Sequence, residues 1–151
     1  MTRGNARELA VHLIYSKSFT NDEPADLIAA RLEKEYYKKL AEDNQVYSDR
    51  PSKNQIVYID TVVSGVSNRI DELNEQIQNF SIGWDISRIS RLARAIMQLA
   101  IFEIMFVDDV PTGVAISEAV RIAKLYDGND TGAFVNGILG AFAKSLPTEV
   151  I

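Results

Sequence analysis

Apolar residues recur along the chain at intervals of three and four, a spacing that places them on one face of an α-helix. The longest series runs from Ile56 to Ile77 and keeps this spacing for roughly six turns. No segment alternates apolar and polar residues as a half-buried strand does. We therefore predict an all-α fold of about six to seven helices. The predicted helices are residues 3–17, 24–40, 56–77, 86–107 and 114–126, and a last one that starts at Asp130 or Thr131 and stops before Pro147.

Turn-forming residues separate these helices and divide them into two groups. Residues 41–53 are polar and contain Pro51, so they are predicted to form a loop. A second break lies near residues 80–87. We expect one domain over residues 1–151, with an N-terminal helical half (1–80) and a C-terminal helical half (81–151). The 56–77 series favours a central bundle helix, but it could also be a seam through which an oligomeric scaffold assembles.

Composition excludes several kinds of chemistry. The chain has 151 residues, no cysteine, one histidine (His12) and a formal net charge of −5. Without cysteine there is no disulfide, thiol catalysis or cysteine-based metal site, and a single histidine argues against a histidine metal centre. The chain also lacks the glycine-rich phosphate-binding motifs. We expect no enzyme activity, no cofactor and no metal. No apolar run reaches the roughly 20 residues of a membrane helix, so we expect a cytoplasmic protein with no membrane partner.

Two segments, residues 1–17 and 91–107, are basic within this acidic chain. Residues 1–17 carry three basic side chains and one acidic side chain, a net charge of +2. On a helical wheel Arg7 and Tyr15 descend one side of the first helix, and Arg3 lies one turn before Arg7. Arginine can grip phosphate and tyrosine can stack on an unpaired base. An amphipathic helix with surface arginines explains the pattern equally well. We expect Arg7→Ala to leave the fold intact.

A second polar stripe lies on the predicted central helix. Arg91, Arg94 and Gln98 are spaced by three and four residues, so they share one helix face. By itself this stripe favours a solvated edge or an internal ion-pair cluster over a binding site.

Three segments together resemble one known family. RGNARELAVHLIY (3–15) resembles the opening helix of the NusB transcription antitermination factors. LARAIMQLAIFEI (92–104) resembles their central helix. DVPTGVAISEAVRIAK (109–124), followed by DTGAFVNGIL (130–139), resembles their C-terminal signature. The order and spacing of the match cover essentially the whole chain, and residues 18–55 are the least alike.

The resemblance implies an all-helical fold of two small bundles and a non-catalytic role. It implies binding to single-stranded boxA-type RNA together with NusE, a small-subunit ribosomal protein. That pair joins RNA polymerase and other Nus factors in a complex that supports ribosomal RNA transcription. The residues that it marks for RNA contact are Arg3, Asn5, Arg7, His12, Tyr15, Arg94, Gln98, Asp130 and Phe134. It also points to Glu118 and Lys124, on predicted exposed helix faces, as residues that could meet a protein partner or nothing.

Alternatives remain at individual positions. Asp130 could instead be the N-cap of its helix, and Gly137 is expected to admit a close helix contact. The chain has Gly4, Asn5, Ala93 and Gln98 where family members often carry charged residues, mostly arginine. Each lost cation removes one counterion-release contribution, so weaker and less salt-dependent RNA binding is expected. The alternative function is therefore a non-catalytic protein-interaction adaptor on the same fold.

Overall fold

The computed structural model describes residues 1–147 of the chain. Within these residues it contains eight α-helices and no strand, which confirms the predicted all-α class and slightly exceeds the predicted helix number. None of the helices in this range is both long and apolar enough to cross a lipid bilayer. The helices are α1 (Arg3–Lys17), α2 (Pro24–Arg31), α3 (Lys34–Asp43), α4 (Lys53–Asn68), α5 (Ile70–Phe80), α6 (Arg91–Phe106), α7 (Thr112–Asp127) and α8 (Asn129–Ser145), with short 3-10 helices at Gln45–Ser48 and Ile86–Arg88.

Two predicted helices are each interrupted once. The stretch 24–40 divides at Leu32 and Glu33, because the Glu33 carboxylate accepts hydrogen bonds from the backbone N–H groups of Glu35 (3.1 Å) and Tyr36 (2.8 Å). This bond pattern is that of an N-cap, which starts a new helix. The stretch 56–77 divides at Arg69, whose φ of −118° and ψ of 22° are not helical. The series is therefore divided between two helices, and its positions Ile59, Val63, Val66, Leu73 and Ile77 are buried within the chain.

The chain divides into two compact units between Asn68 and Arg69. This boundary lies before the division expected near residues 80–87, because the helix break at Arg69 comes first. In the first unit, α1 and α2 pack against α4. Its core is apolar and fully buried at its centre, where Leu9, Leu13, Ile59, Val62 and Val63 are at most 1% exposed.

The second unit is organised around α6. This helix packs against α5, α7 and α8. Ten of the eleven residues from Ala93 to Glu103 are buried, and Arg94 is the exception. Helices α7 and α8 also pack extensively against each other. Gly128 is the single residue between them, and its φ of +90° is a conformation that favours glycine.

Gly132 is a point of close contact between α8 and a side chain of α7. A Cβ atom at this position would lie 2.5 Å from Lys124 Cγ and 3.1 Å from Lys124 Cε. The Lys124 stem therefore lies directly across the backbone of α8. Gly137 was expected to provide the close helix contact, but a Cβ atom there would meet nothing within 4 Å. That expectation is wrong because Gly137 faces outward, where no other helix covers it.

Substitution of the two glycines should have opposite effects on stability. Gly132→Ala should destabilise the protein by about 1 kcal/mol, because the methyl group forces the Lys124 stem away. Gly137→Ala should stabilise it by about 0.5–1 kcal/mol, because alanine restricts the unfolded chain and is compatible with an exposed helical site. Urea unfolding midpoints measure both effects. Adding Lys124→Ala should remove most of the Gly132→Ala penalty, and a penalty that persists in the double variant would contradict the assigned contact.

Candidate nucleic-acid interface

The start of α1 is anchored and leaves Arg3 exposed. Thr2 caps the helix, since its Oγ1 accepts a hydrogen bond from the Asn5 N–H at 3.0 Å. Gln55 of α4 donates to the Met1 carbonyl oxygen at 2.7 Å. Arg3 is solvent-exposed and Asn5 is half-buried. The anchored helix start therefore places Arg3 on the surface of the first unit, with its side chain exposed to solvent.

Arg7 is not on the open surface that the sequence suggested. It is 7% exposed, and the next residue, Glu8, is 2% exposed. Because Arg7 lies in the packed interior, Arg7→Ala would remove buried packing and leave its polar surroundings without a partner. Burial of Arg7 therefore predicts that Arg7→Ala lowers the stability of the fold, whereas the sequence alone predicts an intact fold.

His12 belongs to a polar cluster that joins three elements of the first unit. The His12 Nδ1 atom and the Tyr47 hydroxyl oxygen are 2.7 Å apart. Arg31 donates one hydrogen bond to that hydroxyl at 2.7 Å and another to Ser16 Oγ at 2.9 Å. Since the Tyr47 oxygen accepts from Arg31, we assign its own proton to His12 Nδ1, which places the imidazole proton on Nε2.

The electrostatics of this cluster agree with a neutral imidazole. Burial and, to a smaller extent, the neighbouring Arg31 charge lower the pKa of His12 from 6.5 to about 4, while Glu8 acts in the opposite direction. Burial also raises the pKa of Tyr47. His12 is thus held uncharged at neutral pH and fastens α1 to the rest of the unit.

Tyr15 forms an exposed aromatic pair with Phe19, a residue that is not among the candidates predicted from the sequence. Its ring lies edge-to-face with Phe19 at a centroid distance of 5.0 Å. Tyr15 is 37% exposed and Phe19 is 59% exposed. Phe19 follows the end of α1 at the i+4 position from Tyr15, and that spacing was the signal that could have revealed it.

The stripe predicted on α6 does not form an open surface. Gln98 is 7% exposed, and its amide nitrogen donates to Asn74 Oδ1 of α5 at 2.8 Å. Its amide is therefore engaged within the second unit. Arg94 is half-buried, and its Nε atom is buried without a hydrogen-bond partner. Arg91 is exposed.

Asp130 and Phe134 line a pocket of about 240 Å³ in the second unit. Phe134 lies edge-to-face with Trp84 at a centroid distance of 6.3 Å. Asp130 is in the first turn of α8 but is not its N-cap, because Gly128 holds that position and no side chain caps the helix. The remaining lining residues are Arg88, Ile89, Ser90, Ala93, Asp127 and Thr131.

Trp84 lies in the break that the sequence predicts near residues 80–87, between α5 and α6. Its backbone is held firmly, since its carbonyl oxygen accepts from Gln78 Nε2 (2.9 Å) and Ser81 Oγ (3.2 Å). The Oε1 atom of the same Gln78 amide accepts a hydrogen bond from the Ile86 N–H at 2.8 Å. One glutamine thus bridges the turn on both sides of Trp84.

Comparison with known proteins matches this architecture to one family. The NusB family model matches residues 4–144. The chain belongs to the NusB family. It is 40% identical to the transcription antitermination protein NusB of Acetivibrio thermocellus over 95% of this chain and 90% of that protein. The NusB of Agathobacter rectalis is also 40% identical, over 95% of this chain and all of that protein.

Solved NusB structures have the same fold. T. maritima NusB superposes with a TM-score of 0.71 at 26% identity, covering 96% of this chain and 92% of that one. A structure of the antitermination factors NusB and NusE in complex with dsRNA gives a TM-score of 0.74 at 23% identity, covering 95% and 97%. At that identity the second likeness concerns the fold alone.

The two residues that the NusB resemblance marked for a protein partner both have local contacts. Glu118 is ion-paired with Arg121 one turn later on α7, with Nε and Oε2 2.6 Å apart. Lys124 covers Gly132, as described above. Both side chains are therefore held in defined positions on α7.

The depressed pKa of His12 predicts an acid-sensitive stability. In the unfolded chain the pKa returns to about 6.5, so the unfolded state binds more protons between pH 6.5 and pH 4. The stabilisation is present above pH 6.5 and is lost as the pH falls towards 4. From pH 7 to pH 5.5 the free energy of unfolding should fall by about 1 kcal/mol from this group.

Urea titrations at the two pH values measure the loss, and His12→Asn is the comparison, because asparagine has no proton to gain. Each protein is compared with itself, so any constant destabilisation by the substitution cancels. An equal loss in both proteins would show that His12 is not the responsible group.

Proposed function

We propose that this chain is a transcription antitermination factor that binds single-stranded boxA-type RNA together with the ribosomal protein NusE. In this role it joins RNA polymerase and other Nus factors and supports ribosomal RNA transcription. The observation that carries the proposal is the NusB family match over residues 4–144. Relatives at 40% identity are named transcription antitermination proteins. The neighbour that contains NusB, NusE and dsRNA supports the choice of partners.

The more accessible members of the predicted set are the best candidates for direct RNA contact. In the first unit these are the exposed Arg3 and Tyr15 and the half-buried Asn5, and in the second unit they are the exposed Asp130 and the half-buried Phe134 and Arg94. A guanidinium suits phosphate, and the aromatic rings suit unpaired bases.

The less accessible members of the set have a different role. We assign Arg7, His12 and Gln98 to positioning, because each is buried or bonded within its own unit. Glu118 and Lys124 are proposed to meet the protein partner. This role requires no catalysis, cofactor or metal, and it belongs in the cytoplasm.

A protein-interaction adaptor with weak RNA affinity is the second candidate. It is favoured by the burial of Arg7, which removes one cation of the predicted set from the surface, and by the net charge of −5. Association with NusE that survives nuclease treatment, combined with absent RNA binding, would favour the adaptor.

The deciding experiment is a fluorescence anisotropy titration of a labelled boxA-type RNA with the full chain, with and without NusE, over a series of salt concentrations. The antitermination role predicts binding at low salt, strengthened by NusE and weakened by added salt. Absence of binding with and without NusE at low salt would contradict the proposal.

Arg3→Ala should weaken RNA binding and reduce the slope of log affinity against log salt by about 0.7, which is the contribution of one phosphate contact in a single strand. Lys38→Ala is the matched control, since Lys38 is an exposed cation of the same unit with no assigned role. An unchanged slope in Arg3→Ala would show that Arg3 does not contact phosphate. Arg7→Ala should instead lower the urea midpoint.

A further inference from the structure

Three exposed cations of the first unit lie around the backbone of Met1. The Met1 carbonyl oxygen accepts a hydrogen bond from Gln55 Nε2 at 2.7 Å, and the Met1 nitrogen and the Arg50 carbonyl oxygen are 3.5 Å apart. These contacts bring the start of α4 and the loop before it to the start of α1. The exposed side chains of Arg3, Arg50 and Lys53 are thereby gathered from two distant parts of the sequence.

The backbones that carry these cations are close together. Two residues of chain span at most about 7 Å, so the Met1–Arg50 contact places the Cα atoms of Arg3 and Arg50 at most about 15 Å apart. Lys53 follows Ser52, which is fixed to Gln55 by two hydrogen bonds of 2.9 and 3.2 Å. Long basic side chains at this separation can reach the backbone of one bound strand. We call Arg3, Arg50 and Lys53 the α1–α4 patch.

The Arg50 guanidinium is held in place and keeps its charge. Its Nη2 atom donates to the Leu32 carbonyl oxygen at 2.6 Å, and its Cζ atom lies 4.9 Å from the centroid of the Tyr37 ring. Both partners are uncharged. A guanidinium has further N–H donors that suit the bidentate grip of a phosphate. Because the side chain is ordered beforehand, binding costs less conformational entropy.

The acidic side chains near Arg50 are Glu33 and its neighbour Asp49. The Glu33 carboxylate is already engaged as the cap of α3. Over residues 1–147, the structure gives no ion pair to any cation of the α1–α4 patch. The patch therefore keeps an excess of positive charge on the surface of a chain whose net charge is −5.

We propose that Arg50 and Lys53 bind RNA phosphates next to the phosphate that Arg3 contacts. The proposal rests on the RNA-binding function proposed above. It favours RNA over an acidic protein because the two cations are continuous with Arg3, a candidate for RNA contact. They also offset the neutral residues Gly4 and Asn5 at the start of α1, so RNA binding depends on salt more steeply than those two residues alone predict.

The test is an anisotropy titration of labelled boxA-type RNA with the full chain and saturating NusE, repeated over a series of salt concentrations. The double variant Arg50→Gln/Lys53→Gln should reduce the slope of log affinity against log salt by about 1.4, which is about 0.7 for each lost phosphate contact in a single strand. At 0.1 M salt this corresponds to a loss of affinity of about 25-fold relative to the 1 M reference, where the counterion contribution vanishes.

Two further variants separate phosphate contact from other effects. Arg50→Lys keeps the charge and alters the contacts with Leu32 and Tyr37, so it should keep most of the slope even if its urea midpoint falls. Lys38→Gln/Lys39→Gln removes two exposed cations of α3 in the same unit, and it should leave the slope nearly unchanged. Urea unfolding verifies that every variant is folded under the binding conditions.

The possible results separate this inference from the antitermination function. An unchanged slope in the Arg50 and Lys53 double variant would overturn the inference, while RNA binding by the wild-type chain would still support the function. An equal fall in the Lys38 and Lys39 control would also overturn it, because net charge alone would then explain the effect. If the wild-type chain binds no boxA-type RNA with or without NusE at low salt, the inference and the function both fail.

Discussion

The second unit depends on the burial of α6. Met97, Ile101 and Glu103 of this helix are fully buried, and the helix contacts α5, α7 and α8. Burial of apolar surface is the dominant favourable contribution to folding, and a central helix concentrates it in one segment. The same burial requires each polar group on α6 to find a partner, which explains why the amide of Gln98 is bonded to Asn74. The residues that surround α6, including Phe134, are held in place by this core.

Much of the fold could be predicted from the sequence because helical periodicity is a local property. The bounds of α1 and the all-helical class follow directly from the spacing of apolar residues. The breaks at Glu33 and Arg69 could not be predicted in this way, since the apolar spacing continues across them. A side-chain cap at Glu33 and the backbone angles at Arg69 end the helices there. The spacing of apolar residues shows which of them share a helix face. It does not reveal a helix break across which the same spacing continues.

The candidate site was less predictable for a related reason. Arg7 and Gln98 have polar side chains on helix faces that the sequence suggested were open, yet both are buried. What covers a face is decided by residues distant in sequence, such as Asn74 for Gln98. Trp84 was overlooked because it lies in a break, and its role in the pocket depends on Phe134, fifty positions later in the chain. The candidate residues consequently expose more aromatic and less cationic surface than the sequence first indicated.

The one-residue connection between α7 and α8 has a consequence for how family members can differ in length. Gly128 alone joins the two helices, so the connection is too short to accommodate an inserted residue without shifting one of them. Since each helical residue turns the chain by about 100°, a register shift at this junction would rotate the start of α8 and carry Asp130 and Phe134 away from Trp84. Insertions and deletions should therefore be excluded from this junction and tolerated in longer connections such as the one between α1 and α2.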